Sequence, residues 1–384
     1  MKRFAAILLT IIMLIVFSDN VYAAKEPDLK LDCKSAILIE NSTGKVLYEL
    51  NSHEKVYPAS VTKIMVMLLT MEAIDRGEIK LTDKVVVSPR AKSMGGSTMF
   101  LEQGEIRTVE ELLKGVSIES ANDASVALAE YLAGTEESFV EKMNNRAKEL
   151  GMKNTHFVNC TGFYDTNHYT SAYDVAIMSR ELLKHSKILD YTKIWMETIS
   201  EGRKEPFTLV NRNKMIRRYL GCDGIKTGYV KESMYCISAT AQRNGIRFIS
   251  VIMGAPSANE RNEMAGRLLD IGFAKYETIT AVKKGDVVGE IKLPMSKPEK
   301  VNLIANEDLK IIVEKGTKLK YQNKVELFRD LKLPIKKGDV VGILKAVDGE
   351  IVYGQAPVVV DEDINKVNYI DVLAKMIKMY LNIK

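Results

Sequence analysis

The stretch Pro58-Ala59-Ser60-Val61-Thr62-Lys63 runs straight into the apolar segment Ile64 to Ile74. The segment reads as a helix that ends near Arg76-Gly77. Helical positions three apart share a face, so Lys63 hangs beside Ser60. A serine hydroxyl is a poor nucleophile until a neighbouring base takes its proton. Ser60 also stands at the start of that helix, where unpaired N–H groups favour developing negative charge. By itself the pair also fits a helix-start serine followed by a solvated lysine.

The 384 residues, 46% of them hydrophobic, allow two domains with full cores. The net charge of +5 is mild, and no basic stripe interleaves with aromatics, so no nucleic-acid partner is expected. Lys2 and Arg3, the apolar run Phe4 to Phe17, and Val21-Tyr22-Ala23 compose an export signal spanning 1–23. The run is short for a membrane span. Cleavage is the preferred reading and a retained anchor the other; either places the remainder outside a membrane. Export permits disulfides. Cys222 and Cys236 lie on neighbouring predicted strands, so a bridge there and buried free thiols both remain open.

The order of predicted elements gives an α+β chain, an antiparallel sheet with a cluster of helices. Ser35–Ile39 and Val46–Leu50 form a hairpin around Asn41–Lys45. Helices are expected at Val109–Gly115, Asn122–Ala133, Ser138–Leu150 and Ser171–His185, with Gly151 as a C-cap and Ser171 as an N-cap. Gly224–Thr227, Tyr235–Thr240 and Arg247–Gly254 read as consecutive strands, and Glu260–Gly272 as a helix packing back on them.

From about Tyr276 the texture changes to short β-rich runs. Lys283–Gly289 recurs as Lys336–Gly342, each copy a turn followed by a strand, and the pair reads as two related hairpins in a small all-β domain over 276–360. In the tail, 361–384, Val367, Ile370, Leu373, Ile377 and Leu381 recur at helical steps beside several lysines. Such a helix would lie on an anionic membrane surface, or else dock on its own domain.

Two further motifs complete the first. Ser120-Ala121-Asn122 falls on a helix-to-helix connection, and Lys226-Thr227-Gly228 on a strand led in by Asp223. Ser-x-x-Lys, Ser-x-Asn and Lys-Thr-Gly in this order are the signature of penicillin-recognising active-serine enzymes. Tyr57–Lys63, Ser120–Ser125, Gly151–Phe157 and Asp223–Tyr229 resemble the D-alanyl-D-alanine carboxypeptidases, the low-molecular-mass penicillin-binding proteins, over about Leu31 to Lys275. The later β-rich segment and the tail are similar to that family's C-terminal domain and membrane-associating helix. The resemblance implies a β-lactamase/transpeptidase-like catalytic domain over 26–275 that removes the terminal D-alanine from peptidoglycan stem peptides, is acylated by β-lactams, and works peripherally on the outer face of the cytoplasmic membrane.

In that pattern Ser60 attacks the carbonyl, and Lys63, neutral through desolvation and the nearby cation Lys226, is the base. Ser120 relays a proton to the leaving amine, and Asn122 holds the substrate amide and orients Lys63. Lys226, Thr227 and Gly228 form the strand edge that receives the substrate, with Lys226 and Thr227 taking its carboxylate. The N–H groups of Ser60 and Tyr229 form the oxyanion hole. Arg212 and Arg261 match positions near the substrate carboxylate, where a guanidinium fork fits; a surface or packing role is the other reading. Tyr229 departs from the histidine that relatives often carry there.

Two alternatives belong to other classes. A β-lactamase would need a glutamate for deacylation, and no Glu-x-x-Leu-Asn run lies between Ser120 and Lys226. A non-catalytic wall-binding protein would keep the fold without needing all three motifs intact. His53, His156, His168 and His185 lack metal-binding spacing and read as surface or structural residues, so no cofactor or metal is expected.

Overall fold

The computed structural model of the chain describes residues 29–199 and 205–367. The export signal, and the tail from residue 368 on, lie outside the described residues. The predicted hairpin is present as β1 (Ser35–Glu40) and β2 (Val46–Leu50), paired antiparallel. Every residue of β1 is buried, so both faces of the sheet are covered. Helix α1 (Lys63–Asp75) follows, with Ile64, Met65, Val66, Met67 and Leu68 fully buried. A helix apolar on all sides belongs in the middle of a core. It ends at Arg76, before Gly77 at φ +71°.

A short pair, β3 (Lys84–Val86) and β4 (Ile106–Thr108), precedes α2 (Val109–Lys114). Thr108 and Glu111 start α2 with reciprocal side-chain caps. Next come α3 (Asn122–Ala133), α4 (Glu136–Glu149) and α5 (Ala172–Leu182), the last capped by Ser171 as expected. A hairpin not expected from the sequence, β5 (Met196–Ile199) with β6 (Phe207–Val210), leads to β7 (Cys222–Val230), β8 (Met234–Arg243) and β9 (Ile246–Ala255).

These strands complete a sheet in the order β2-β1-β9-β8-β7. Ile37, Ile39, Ile249 and Val251 join the helical core. The alternate residue Phe248 meets α6 (Ala258–Lys275), where a Cβ on Gly272 would lie 3.0 Å from its ring. The register sets Cys222 opposite Ala241 and Cys236 opposite Gly228. The two sulfurs therefore never face each other. Both are buried free thiols, and the bridge is not made.

Beyond α6 the regular elements among the described residues are all β: β10 (Tyr276–Val282), β11 (Val287–Lys292), β12 (Ser296–Lys297), β13 (Lys300–Ala305), β14 (Leu309–Glu314), β15 (Gln322–Leu327), β16 (Val340–Asp348), β17 (Ile351–Val360) and β18 (Asn365–Lys366). Its main sheet runs β11-β13-β17-β16-β15 around a separate apolar core. The repeated turns are built alike. In each, an aspartate accepts from the first lysine's N–H, Asp286 from Lys283 at 3.0 Å and Asp339 from Lys336 at 2.8 Å. A second aspartate takes the next lysine's N–H, Asp308 from Lys284 and Asp363 from Lys337.

The duplication therefore extends to Ile304–Leu309 and Val359–Ile364, beyond what the sequence repeat suggested. Only the second copy forms a direct hairpin, β16 with β17; β11 pairs with β13. The tail also departs from expectation at its start. Ile364 is buried and bridges Ile335, and β18 pairs with β12. The first residues assigned to the amphipathic helix are thus the last strand of the β domain.

Candidate active site

Ser60 lies in a single tight turn, Ala59–Thr62, that opens directly into α1. The half-turn offset leaves Lys63 beneath it. Lys63 Nζ donates to Ser60 Oγ at 3.2 Å, to Asn122 Oδ1 at 2.6 Å and to the Thr161 carbonyl at 2.6 Å. Lys63 is fully buried. Burial lowers its pKa from 10.5 to about 7, against a smaller opposing pull from Cys160 and Asp123. The neutral amine that a general base requires is therefore abundant near neutral pH.

Lys226 is buried as well, and its ammonium donates to the Thr227 carbonyl at 2.9 Å. Its pKa falls well below the ordinary lysine value through burial first, then repulsion from Lys63, Arg261 and Arg212.

Asn122 begins α3 and is gripped from both sides. Its Oδ1 accepts from Lys63, its Nδ2 donates to the Gly95 carbonyl at 2.7 Å, and its N–H to the Ser97 carbonyl at 2.7 Å. Ser120 sits just before, after a wide turn over Gly115–Glu119 in which its N–H returns to the Gly115 carbonyl. Its φ of +68° is left-handed, a costly conformation for a serine. Its Oγ is buried with no hydrogen-bond partner among the described residues. Wide turns and strained residues gather where function demands a particular side-chain direction.

The edge strand β7 passes close over the nucleophile. A Cβ on Gly228 would lie 3.0 Å from Ser60 N and 3.0 Å from the Pro58 carbonyl oxygen. Thr227 is buried beside it, and the exposed Tyr229 ring tilts against Tyr235, centroids 4.4 Å apart. Arg261 is buried and donates to Asn262 Oδ1 at 2.9 Å, and burial lowers its pKa to about 10. Arg212 is more exposed and ion-pairs with the buried Glu119. Lys63 and both guanidiniums act on Lys226, so four basic side chains share one neighbourhood.

Several contributors were not singled out from sequence. A Cβ on Gly162 would fall 1.9 Å from the Ala59 carbonyl oxygen, so only glycine lets this loop bring the Thr161 carbonyl to Lys63. The loop is wound on Asn159 Oδ1, which accepts from Thr161 N, Gly162 N and Phe163 N. The Asn-x-x-Gly spacing was the available signal. His168 is buried and accepts from Val158 N at Nδ1, so its Nε2–H donates to Thr62 Oγ1 at 2.8 Å. Asp123 accepts from Met99 N and Leu101 N, pinning the loop that faces Asn122. Among the described residues no cluster of three His, Cys, Asp or Glu side chains could hold a metal, and no helix is long and apolar enough to cross a membrane.

A serine partnered by a buried lysine, with Asn122 on the same amine and a strand edge passing close over the nucleophile, is the geometry of a serine acyl-transfer enzyme. Comparison with known proteins narrows the class. The D-alanyl-D-alanine carboxypeptidase family model matches residues 20–257, and that of the penicillin-binding protein 5 C-terminal domain matches 276–366. The chain is 44% identical to D-alanyl-D-alanine carboxypeptidase DacF of Bacillus subtilis, over 98% of both chains. Among solved structures it is similar to penicillin binding protein 5 from Haemophilus influenzae, with TM-score 0.68, 30% identity and coverage of 88% of this chain and 98% of that one. It is also similar to ampicillin-bound penicillin-binding protein D2 from Listeria monocytogenes, with TM-score 0.58, 30% identity and coverage of 64% and 100%. The chain belongs to the D-alanyl-D-alanine carboxypeptidase family.

Proposed function

We propose that the chain removes the terminal D-alanine from peptidoglycan stem peptides through an ester on Ser60. The observation that carries this reading is the buried Lys63 amine, 3.2 Å from Ser60 Oγ and with a pKa near 7. Neutral Lys63 takes the Ser60 proton as Oγ bonds to the carbonyl carbon between the two D-alanines. The resulting oxyanion rests on the N–H groups of Ser60 and Tyr229, a placement supported by the close passage of Gly228 over Ser60 N. Collapse breaks the C–N bond. The leaving amine takes its proton through Ser120, whose Oγ has no other partner among the described residues. Water then hydrolyses the ester. The substrate carboxylate is received by Thr227 and the cluster of Lys226, Arg212 and Arg261.

β-Lactams would form the same ester, as the ampicillin complex of the Listeria relative suggests. The β-lactamase and non-catalytic readings are not favoured, because the matching relatives are carboxypeptidases. Intact-mass analysis after penicillin treatment, with peptide mapping, tests the reading. A single adduct on Ser60, lost in Ser60→Ala, is expected; an adduct elsewhere, or label persisting in Ser60→Ala, overturns it. Rapid turnover of nitrocefin would restore the β-lactamase alternative.

The domain division is part of the same proposal: export signal 1–23, catalytic domain 26–275, β domain from 276, and a membrane-surface tail that now begins after residue 367. An exported enzyme peripheral to the cytoplasmic membrane's outer face suits a cell-wall substrate. Release from membranes on deleting 368–384 is expected, and unchanged association would defeat the anchor.

A further inference from the structure

The backbone and the side chain of Arg212 are held by different partners. An asparagine on each side clamps the backbone. Asn211 Nδ2 donates to the carbonyls of Thr192 and Ile194 at 3.0 and 2.8 Å. Asn213 Nδ2 donates at 3.0 Å to the carbonyl of Gly224, on the same strand as Lys226. The Arg212 N–H donates to the Ile118 carbonyl at 3.2 Å. The side chain leaves this frame 56% exposed, and it pairs with Glu119.

Glu119 itself is only 5% exposed. A carboxylate is seldom so buried unless its charge is paired. One oxygen accepts from the N–H of Val210, the last residue of β6, at 3.0 Å; the other takes an Nη2–H of Arg212. Glu119 also closes the wide turn Gly115–Glu119, directly before the left-handed Ser120. Arg212 and Glu119 act on Lys226 with opposite sign, which puts the pair near the Lys226 amine.

An exposed arginine samples many rotamers, and a ligand that must freeze it loses affinity. A carboxylate gains most from a guanidinium whose N–H fork is already aimed. A buried carboxylate anchored on backbone supplies that aim, and it engages one of the three guanidinium nitrogens, Nη2. Its own charge is offset by the arginine it holds, so its repulsion of an arriving carboxylate is weak beside the loss of a misplaced fork. We propose that Glu119 is a positioning residue for substrate recognition: from its anchor on Val210 it holds the Arg212 guanidinium in place for the terminal carboxylate of the stem peptide. This rests on the proposed carboxypeptidase activity, which gives the site a carboxylate to receive.

The test measures KM and kcat for D-alanine release from a diacetylated lysyl tripeptide ending in D-alanyl-D-alanine. Acylation of Ser60 by a penicillin methyl ester, which lacks the carboxylate, is followed in parallel by intact mass. Glu119→Gln keeps an acceptor for the Val210 N–H but loses the charge. It should raise KM at least about tenfold, the order expected for one charge-assisted hydrogen bond, with kcat and the ester's acylation rate within about threefold of wild type. Glu119→Asp keeps the charge but is too short to reach both partners, and should raise KM likewise. The double variant with Arg212→Gln should be no worse than Arg212→Gln alone, because Glu119 acts through Arg212. An unchanged or lowered KM in both Glu119 variants would overturn the proposal, a lowered one by showing that Glu119 withholds the arginine. So would equal losses on peptide and ester, the mark of a merely structural role, or additive losses in the double variant. Wild type that forms the Ser60 adduct yet releases no D-alanine would overturn the carboxypeptidase reading itself, and this inference with it.

Discussion

At the scale of single residues, Lys63 and His168 are both depressed bases, and the sign of each effect is opposite in what it controls. Lys63 titrates near 7, so the fraction of neutral base rises with pH up to that point. Penicillin acylation should climb about tenfold per pH unit below 7 and level off above it. A flat profile from pH 5 to 8, in stopped-flow measurements, would remove Lys63 as the base. Lys63→Arg keeps the charge but cannot lose it, and should slow acylation by about 10²–10⁴-fold. His168 affects stability instead. Burial lowers its pKa to about 4, from about 6.5 when unfolded. The unfolded chain therefore binds the extra proton first. The stabilisation is complete above pH 6.5 and is lost as pH falls towards 4, about 3 kcal/mol in all. The difference between wild type and His168→Gln, in denaturant titrations across that window, isolates it; parallel pH curves would refute it.

At the scale of elements, the close approach of β7 to the turn holding Ser60 decides whether the parts act together. Gly228→Ala would force the strand or the Pro58–Ser60 backbone aside, since its Cβ would meet both at 3.0 Å. Misplacing a reacting group by a fraction of an ångström to an ångström costs about 10²-fold in rate, so acylation should fall by that order while the protein remains folded. An unchanged acylation rate would show that the strand edge is not positioned as described.

The same element explains what was legible beforehand. The motifs on α1, α3 and β7 were visible because each carries its own local pattern, a helix run, a cap position or a strand. Ile64–Leu68 and the β1–β2 hairpin were visible through hydrophobicity and turn chemistry. The loop of Asn159–Gly162 was not, because its importance comes from a carbonyl and a missing Cβ meeting residues about a hundred positions away. The β5–β6 hairpin and the strained Ser120 were hidden for the same reason: tertiary packing overrides local preference there. The repeated Lys-Gly turns were visible as text, but the second pair of aspartates that makes them equivalent emerged only from their hydrogen bonds.

At the scale of the whole molecule, the two apolar cores are separate, one among the helices and central sheet, the other inside the β domain. The junction is narrow in what it shares. α6 runs directly into β10, and Lys315 reaches back to the carbonyls of Lys275 and Phe273 at 2.8 and 2.9 Å. All proposed catalytic and substrate groups, Ser60 to Arg261, precede it. Domains with their own core can fold alone. A chain of residues 26–275 should therefore form the Ser60 adduct at a rate within about threefold of the full-length protein. A truncated chain that folds, judged by a cooperative thermal transition, yet acylates far more slowly would mean that the β domain shapes the catalytic site. Retained chemistry is the outcome expected of a catalytic domain whose apolar core closes without the β domain.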